Sequence, residues 1–203
     1  MVMISSRVRF AIAVMLLGLV GPAVASAADK TAEANKPADK AAAEAKLPER
    51  GVRAEFFVDF AAVTGKLLQL AEAIPADKYT WRPQPGVRSV SEVLLHAAVA
   101  NYYIPTFFGT SMPAGVDAKT LETSTTDKAK VIETLQASIA HARTAVAGMA
   151  DADLDKTGKF FGGREVTYRV MIIGAAEHSH EHLGQLIAYA RVNGVTPPWS
   201  KSE

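Results

Sequence analysis

Residues 177–191 read EHSHEHLGQLIAYAR and contain three of the five histidines of this 203-residue chain. The stretch has the apolar periodicity of an amphipathic helix. His178 and His182 are four residues apart, so on a helix their side chains lie about 40° apart, one turn above the other. His180 lies about 200° from His178, on another face. The spacing therefore predicts that His178 and His182, without His180, can reach one metal ion.

A complete metal site needs a further ligand from another part of the chain. Zinc sites in enzymes usually have three protein ligands and a fourth position open to water or substrate. The remaining histidines are His96 and His141, each in a different predicted helix. His96 borders an apolar face of Val and Ala residues, whereas His141 belongs to a more polar helix. The residues favour His96 as the third ligand and leave His141 as the second candidate.

Four amphipathic segments predict an all-α protein that folds as a four-helix bundle. The second segment begins at Ser89, whose spacing to Glu92 is that of a capping box. We expect Pro105 to bend this helix before it ends at Phe107 or Phe108. The predicted helices cover residues 52–74, 89–108, 126–149 and 167–193.

The connections between these helices differ in length. Residues 109–126 are rich in Gly, Pro, Ser and Thr and are long enough to cross one end of a bundle. The third helix therefore need not run antiparallel to the second. Residues 158–164 contain Phe-Phe-Gly-Gly and predict a turn or a short hairpin. No other segment shows a convincing strand pattern.

Residues 1–27 have the features of a secretory signal peptide. Arg7 and Arg9 precede an uncharged apolar run over residues 10–20, which is too short to span a bilayer. A helix-breaking Gly-Pro pair and the small-residue sequence Ala25-Ser26-Ala27 follow. The pattern predicts export to the periplasm, cleavage after Ala27 and no stable membrane association afterwards. The alternative is an uncleaved N-terminal anchor.

The rest of the chain divides into a spacer and one domain. Residues 28–50 are rich in Ala, Lys and Glu, contain two prolines and no aromatic residue, and are predicted to be a flexible linker. Residues 51–203 are numerous enough for a single core, which contains no disulfide because the chain has no cysteine. The 22 Lys and Arg residues nearly balance the 21 Asp and Glu residues, which gives no electrostatic case for binding nucleic acid.

Three groups of residues match the motifs of a known family. They are Trp81-Arg82-Pro83, the segment from Ser89 to His96, and His178-x-x-x-His182-x-Gly184-Gln185-Leu186 followed by Arg191, Gly194 and Pro197-Pro198. In this set the chain resembles the DinB-like superfamily. The resemblance extends from about Val52 to Ser200, and the second half of the last helix with its proline tail is its most specific part.

The resemblance implies a four-helix bundle with up-down-down-up topology. It also implies a divalent metal cation, with zinc or nickel as the first candidates, held by His96, His178 and His182. Some relatives are metal-dependent thiol transferases that use bacillithiol or mycothiol, and family members often form homodimers. The predicted signal peptide departs from the pattern of these thiol-using relatives, because their thiols are cytoplasmic reductants.

Two functions remain open at this point. A three-histidine metal with an open position lowers the pKa of a bound water or thiol, which predicts a hydrolase or a thiol or group transferase acting on a small molecule. The chain contains no cysteine nucleophile, no Gly-x-Ser-x-Gly elbow and no glycine-rich phosphate loop that would indicate other chemistry. The alternative is a non-catalytic exported bundle that binds a metal or a small ligand. No catalytic residue beyond the metal ligands is identified.

Polar residues near the histidines are candidates for a supporting role. Glu92 lies one turn before His96 and is the first candidate for a carboxylate that fixes a ligand imidazole, with helix capping as the alternative. Glu177 and Glu181 are expected to be solvated. Gln185 and Tyr189 share the face of His178 and His182, so they either line a pocket or pack within the bundle.

Overall fold

Residues 47–202 are described here from a computed structural model of the protein. The predicted signal peptide and residues 28–46 of the predicted linker lie outside this range. The described residues form four α-helices, as the sequence predicts, together with one short strand pair. The helices are α1 (Val52–Ala73), α2 (Val90–Tyr103), α3 (Lys128–Ala147) and α4 (Tyr168–Val192), and the strands are β1 (Thr157–Lys159) and β2 (Glu165–Thr167).

Hydrogen bonds between helix ends show that α1 and α3 are antiparallel. Arg53, at the start of α1, donates to the carbonyls of Val146 and Ala147 at the end of α3, both at 3.3 Å. Lys128, at the start of α3, donates to the carbonyl of Glu72 near the end of α1, at 2.7 Å. Each end of one helix therefore lies beside the opposite end of the other.

The directions of α2 relative to α3 and of α4 relative to α2 complete an up-down-down-up order of the four helices. Arg88 precedes α2 and is bonded to Glu122, which precedes α3, and Asn101 late in α2 donates to Ser138 in α3. These contacts make α2 and α3 parallel. Tyr189, near the end of α4, donates to the backbone carbonyl of Arg88, so α4 is antiparallel to α2. The long connection after α2 permits this order, because it returns the chain to the end of the bundle where α2 began.

Side-chain caps fix where α2, α3 and α4 begin. The Ser89 hydroxyl accepts a bond from the backbone N–H of Glu92, and the Glu92 carboxylate accepts one from the backbone N–H of Ser89, which confirms the capping box. Asp127 caps α3 and Thr167 caps α4 in the same way. The α-helical part of α2 ends at Tyr103, and the chain continues as a 3₁₀-helix over Ile104–Phe108.

The segment before α4 is a hairpin. Strands β1 and β2 pair antiparallel with Gly158 opposite Val166. Gly162 and Gly163 between them have φ values of 69° and 75°, which residues with a Cβ rarely adopt. The predicted turn or short hairpin over residues 158–164 is therefore a hairpin.

The core is formed by the apolar faces of all four helices. The largest side chains with less than 2% of their surface exposed are Phe60, Leu67, Leu70, Ile74, Tyr79, Leu94, Leu95, Ile104, Leu135, Met171, Ile172 and Leu186. None of the helices within residues 47–202 is both long enough and apolar enough to cross a membrane.

The C-terminal end of α1 is closed by side chains from elsewhere. The carbonyl of Ala71 would normally accept a bond from the N–H four residues later, but that residue is Pro75, which has none. The Tyr79 hydroxyl donates to this carbonyl at 2.7 Å instead. Lys128 Nζ donates to the carbonyls of Glu72 and Ile74 at 2.7 and 2.8 Å. The helix therefore ends at a proline without leaving these acceptors unpaired.

We expect Tyr79→Phe to lower the free energy of unfolding by about 1–3 kcal/mol, because it leaves the buried Ala71 carbonyl without a donor. Urea denaturation measures the change. Tyr103→Phe is the matched control, since Tyr103 is 39% exposed and we expect a change within about 0.5 kcal/mol. Equal stability of the two variants would contradict this account of the helix end.

Candidate metal centre

Three histidines from two helices meet in one cluster. His178 and His182 come from successive turns of α4, as their spacing predicts, and His96 comes from α2. The Nε2 atom of His178 lies 3.2 Å from Nε2 of His96 and 3.2 Å from Nε2 of His182. One ring nitrogen from each residue lies within 4.8 Å of those of the other two. The antiparallel packing of α4 on α2 therefore brings together residues that are 82 positions apart in the sequence.

The other histidines do not join this cluster. His180 faces away, and its Nε2 atom lies 3.0 Å from the carboxylate of Asp59 on α1. The ring centroid of His141 lies 5.4 Å from that of Tyr102. The Nε2 atom of His141 is buried and has no hydrogen-bond partner among the described residues. Burial lowers the pKa of His141. Of the two candidates for the third position, the structure brings His96 to the pair and leaves His141 elsewhere.

The hydrogen bond at Nδ1 determines which ring nitrogen of His96 carries the hydrogen. This nitrogen lies 2.8 Å from Oε2 of Glu122. An ionised carboxylate can only accept, so Nδ1 carries the hydrogen, and in the neutral imidazole Nε2 presents a lone pair to the cluster. Arg88 holds the same carboxylate, with Nε at 2.6 Å from Oε1 and a second nitrogen at 3.3 Å from Oε2. The orientation of the His96 ring is therefore set by a carboxylate that is itself held by an arginine.

A second chain of hydrogen bonds fixes His182. The Tyr189 hydroxyl donates to the backbone carbonyl of Arg88 at 3.2 Å, and its oxygen accepts from Nε2 of Gln185 at 2.9 Å. The Gln185 carbonyl oxygen then faces Nδ1 of His182 at 2.9 Å. This series of hydrogen bonds ends on the backbone carbonyl of Arg88, which can only accept, so the Tyr189 hydroxyl must donate to it. The Gln185 amide nitrogen then donates to Tyr189, the Gln185 carbonyl oxygen accepts from His182, and the hydrogen of His182 is on Nδ1. Its Nε2 lone pair also faces the cluster.

Burial disfavours the charged form of the two imidazoles on α4. Desolvation, with smaller contributions from His182, His96 and Arg88, lowers the pKa of His178 to about 4. Burial also lowers the pKa of His182. For Glu122, burial alone would raise the pKa, but the hydrogen bonds from Arg88 and His96 outweigh it and the net shift is downward. The lowered pKa values favour the neutral forms of His178 and His182, which is the form in which imidazole binds a metal.

The donor set fits a divalent cation. Nitrogens bound tetrahedrally at 2.0–2.1 Å to zinc are separated by about 3.3 Å, close to the two 3.2 Å separations of this cluster. With the hydrogens of His96 and His182 on Nδ1, at most one of the three facing nitrogens carries a hydrogen. Lone pairs that face one point repel one another, and a cation at that point turns the repulsion into attraction. The residues present are therefore suited to hold such a metal.

The carboxylate next to His96 is not the one that the sequence favours. Glu92 is occupied by the backbone N–H of Ser89 and by Arg82, whose guanidinium lies 2.8 Å from it. Its capping role at the third position of α2 directs it to the end of the helix. Glu122 takes the role instead, from a 3₁₀-turn (Leu121–Thr123) inside the connection after α2. A glutamate 26 residues after His96 in a Gly- and Thr-rich loop carries no periodic signal that could have identified it.

Comparisons with known proteins agree with this fold. A profile of the DinB superfamily matches residues 59–186, which include all three clustered histidines. The uncharacterized protein YjoA of Bacillus subtilis (strain 168) is 27% identical over 128 residues, which are 63% of this chain and 82% of that protein.

Solved structures show the same architecture. A DinB-like protein from Bacillus cereus ATCC 10987 superposes with a TM-score of 0.61 at 18% identity, covering 70% of this chain and 93% of that one. The structure of the DinB-like YjoA from Bacillus subtilis gives a TM-score of 0.56 at 23% identity, with the same coverages. At these identities the structures support the fold alone. The profile match, which covers more than half of the sequence, shows that this chain belongs to the DinB superfamily.

Proposed function

We propose that the protein binds a divalent metal cation through His96, His178 and His182 and uses it in hydrolysis or in thiol or group transfer on a small molecule. The observation that carries the proposal is the convergence of three Nε2 atoms, two of which have their lone pairs fixed toward the cluster by acceptors at Nδ1. Zinc and nickel are the first candidates for the metal, since imidazole nitrogen suits both.

In this proposal the protein residues hold the cation in place, and the cation would provide the chemistry. A divalent cation held by His96, His178 and His182 would supply Lewis acidity and would lower the pKa of a water or thiol that it binds. His96 on α2 and His178 and His182 on α4 would hold this cation between the two helices. Within residues 47–202, the one carboxylate hydrogen-bonded to these imidazoles is Glu122, and Arg88 already occupies it. We therefore give Glu122 no role as a general base.

Metal analysis followed by activity assays tests the proposal. We expect the purified protein to contain close to one equivalent of divalent metal and to lose it in a chelator. The metal-loaded protein is then assayed for hydrolysis of nitrophenyl esters to nitrophenol and acid. A second assay measures transfer of a low-molecular-weight thiol to an alkyl halide, which yields a thioether and releases halide and a proton. Failure to bind zinc, nickel or another divalent ion would overturn the proposal.

A non-catalytic metal-binding role is the second candidate. It is favoured by the engagement of Glu122, which leaves the centre without an available carboxylate among its hydrogen-bonded partners in residues 47–202. A protein that takes up one equivalent of metal, is strongly stabilised by it and turns over neither class of substrate would support this role over the catalytic one.

We also propose that the protein acts outside the cytoplasm, after removal of residues 1–27. The support is the sequence pattern of a basic start, a short apolar run and Ala25-Ser26-Ala27. Fractionation of a bacterial host and the intact mass of the exported protein test it, with an N-terminus at Ala28 expected. Retention of the full-length chain in the cytoplasm or membrane fraction would contradict it.

A further inference from the structure

The connection between α2 and α3 contributes to the histidine centre although none of its residues belongs to the apolar core. None of the residues from 109 to 127 is buried, and the side chains that touch the helices are at most partly covered. Two pockets of about 560 and 570 Å³, both open to solvent, lie where this segment meets the helices; one is lined by Tyr102, Val116 and Leu121 and the other by Val99, Tyr103 and Met112. Little apolar burial therefore holds this segment in place.

Glu122 makes the hydrogen bonds that join this segment to α2 and to the residues just before it. The hydrogen bonds of residues 111–124 in the described structure stay within the segment, for example from Thr120 and Lys119 to Asp117, with the exception of those made by Glu122. Glu122 bonds to Arg88, just before α2, and to His96 on α2. The connection is thus joined by hydrogen bonds to the bundle at the same residue that orients a histidine of the centre.

We propose that Glu122 is a positioning residue for the metal centre, which fixes His96 with its Nε2 atom toward His178 and His182 and links metal binding to the order of residues 109–126. The second half of this inference rests on the proposed metal binding, whereas the first half does not. Loss of a carboxylate that accepts a hydrogen bond from a ligand imidazole commonly weakens metal binding by about 10–100-fold.

The linkage acts in both directions. A cation at the three Nε2 atoms favours the orientation of His96 that bonds to Glu122, so the metal stabilises the attached form of the segment. By the reciprocity of linked equilibria, detachment of the segment weakens metal binding by the same factor. Arg88 strengthens the effect because it holds both oxygens of the Glu122 carboxylate.

The test compares Glu122→Gln with Glu177→Gln. Both changes replace a carboxylate by an amide, and Glu177 is exposed on α4 directly before His178 in the sequence. The first measurement is the ¹⁵N shift of the His96 ring in metal-free protein. We expect the Nδ1–H form in the wild type and in Glu177→Gln, and a loss of that single form in Glu122→Gln, since an amide can donate as well as accept. An unchanged His96 ring in Glu122→Gln would overturn the positioning role, whether or not the protein binds metal.

The second measurement is made with zinc alone. We expect Glu122→Gln to weaken zinc binding about 10–100-fold in competition with a chelating dye, and Glu177→Gln to change it less than about twofold. We also expect zinc to slow amide hydrogen exchange over residues 109–126 in the wild type and to do so far less in Glu122→Gln. Equal zinc affinity of the two variants, or exchange in the wild-type segment that zinc does not alter, would overturn the linkage. A wild type that binds no divalent metal would instead overturn the proposed function.

Discussion

Replacing His182 by Ala is expected to abolish metal binding at micromolar concentrations. His182 is buried, with 5% of its surface exposed, and its Nε2 atom faces that of His178 at 3.2 Å. A structural zinc site with four protein ligands contributes about 10–16 kcal/mol, so one ligand corresponds to roughly 3 kcal/mol, or at least a hundredfold in Kd. With only three histidines in the cluster, no further histidine could replace the lost ligand. Isothermal titration with zinc and elemental analysis of the purified variant measure the effect.

His180→Ala provides the matched control for this prediction. It removes an imidazole from the same helix only two residues away, but His180 is half-exposed and bonds to Asp59 instead of the cluster. We expect its metal content and zinc affinity to equal those of the wild type. Comparable losses in both variants would mean that the three-histidine cluster is not the binding site. Metal retained by His182→Ala would also rule out the cluster as the binding site.

Phe60→Ala is expected to remove about 3–5 kcal/mol from the free energy of unfolding. The side chain is fully buried on α1, and its ring stacks on that of Phe56 with 4.9 Å between centroids. The substitution removes an aromatic ring from the close-packed core, so the helices cannot close the cavity without moving together. Because domains are stable by only about 5–15 kcal/mol, this one change takes a large share of the total.

Urea denaturation followed by circular dichroism measures this loss. Val58→Ala is the control, since it lies two residues earlier on the same helix with 75% of its surface exposed. We expect its stability to stay within about 0.5 kcal/mol of the wild type. A small effect at Phe60 would place the core of the protein elsewhere than on the inner face of α1.

Helix positions and caps were predictable because their causes are local. The capping box at Ser89 depends on residues three apart, and the paired faces of His178 and His182 depend on residues four apart. The end of α1 at a proline is equally local, since proline removes a backbone donor wherever it occurs. The compensation for that proline was not predictable, because Tyr79 and Lys128 reach the end of α1 only after the chain has folded back.

The supporting groups of the histidine centre show the same division. Gln185 and Tyr189 lie one and two turns beyond His182, so their place on its face follows from helix geometry. A helix also places Glu92 one turn before His96, yet its capping bond directs it away from the imidazole, and Glu122 takes its place. Spacing along the sequence therefore identifies the residues that support His182 within α4, but it points to the wrong carboxylate for His96 in α2.

The sequence by itself determined the four helices, the pairing of His178 with His182 and the exclusion of His180, because each follows from the repeat of a single helix. Only the tertiary structure decided that His96 completes the cluster, that Glu122 and Arg88 orient it, and that His141 lies elsewhere. These depend on how α2, α4 and the connection after α2 pack against one another. Packing arises from the burial of apolar surface shared by several segments, so no single stretch of the sequence contains it.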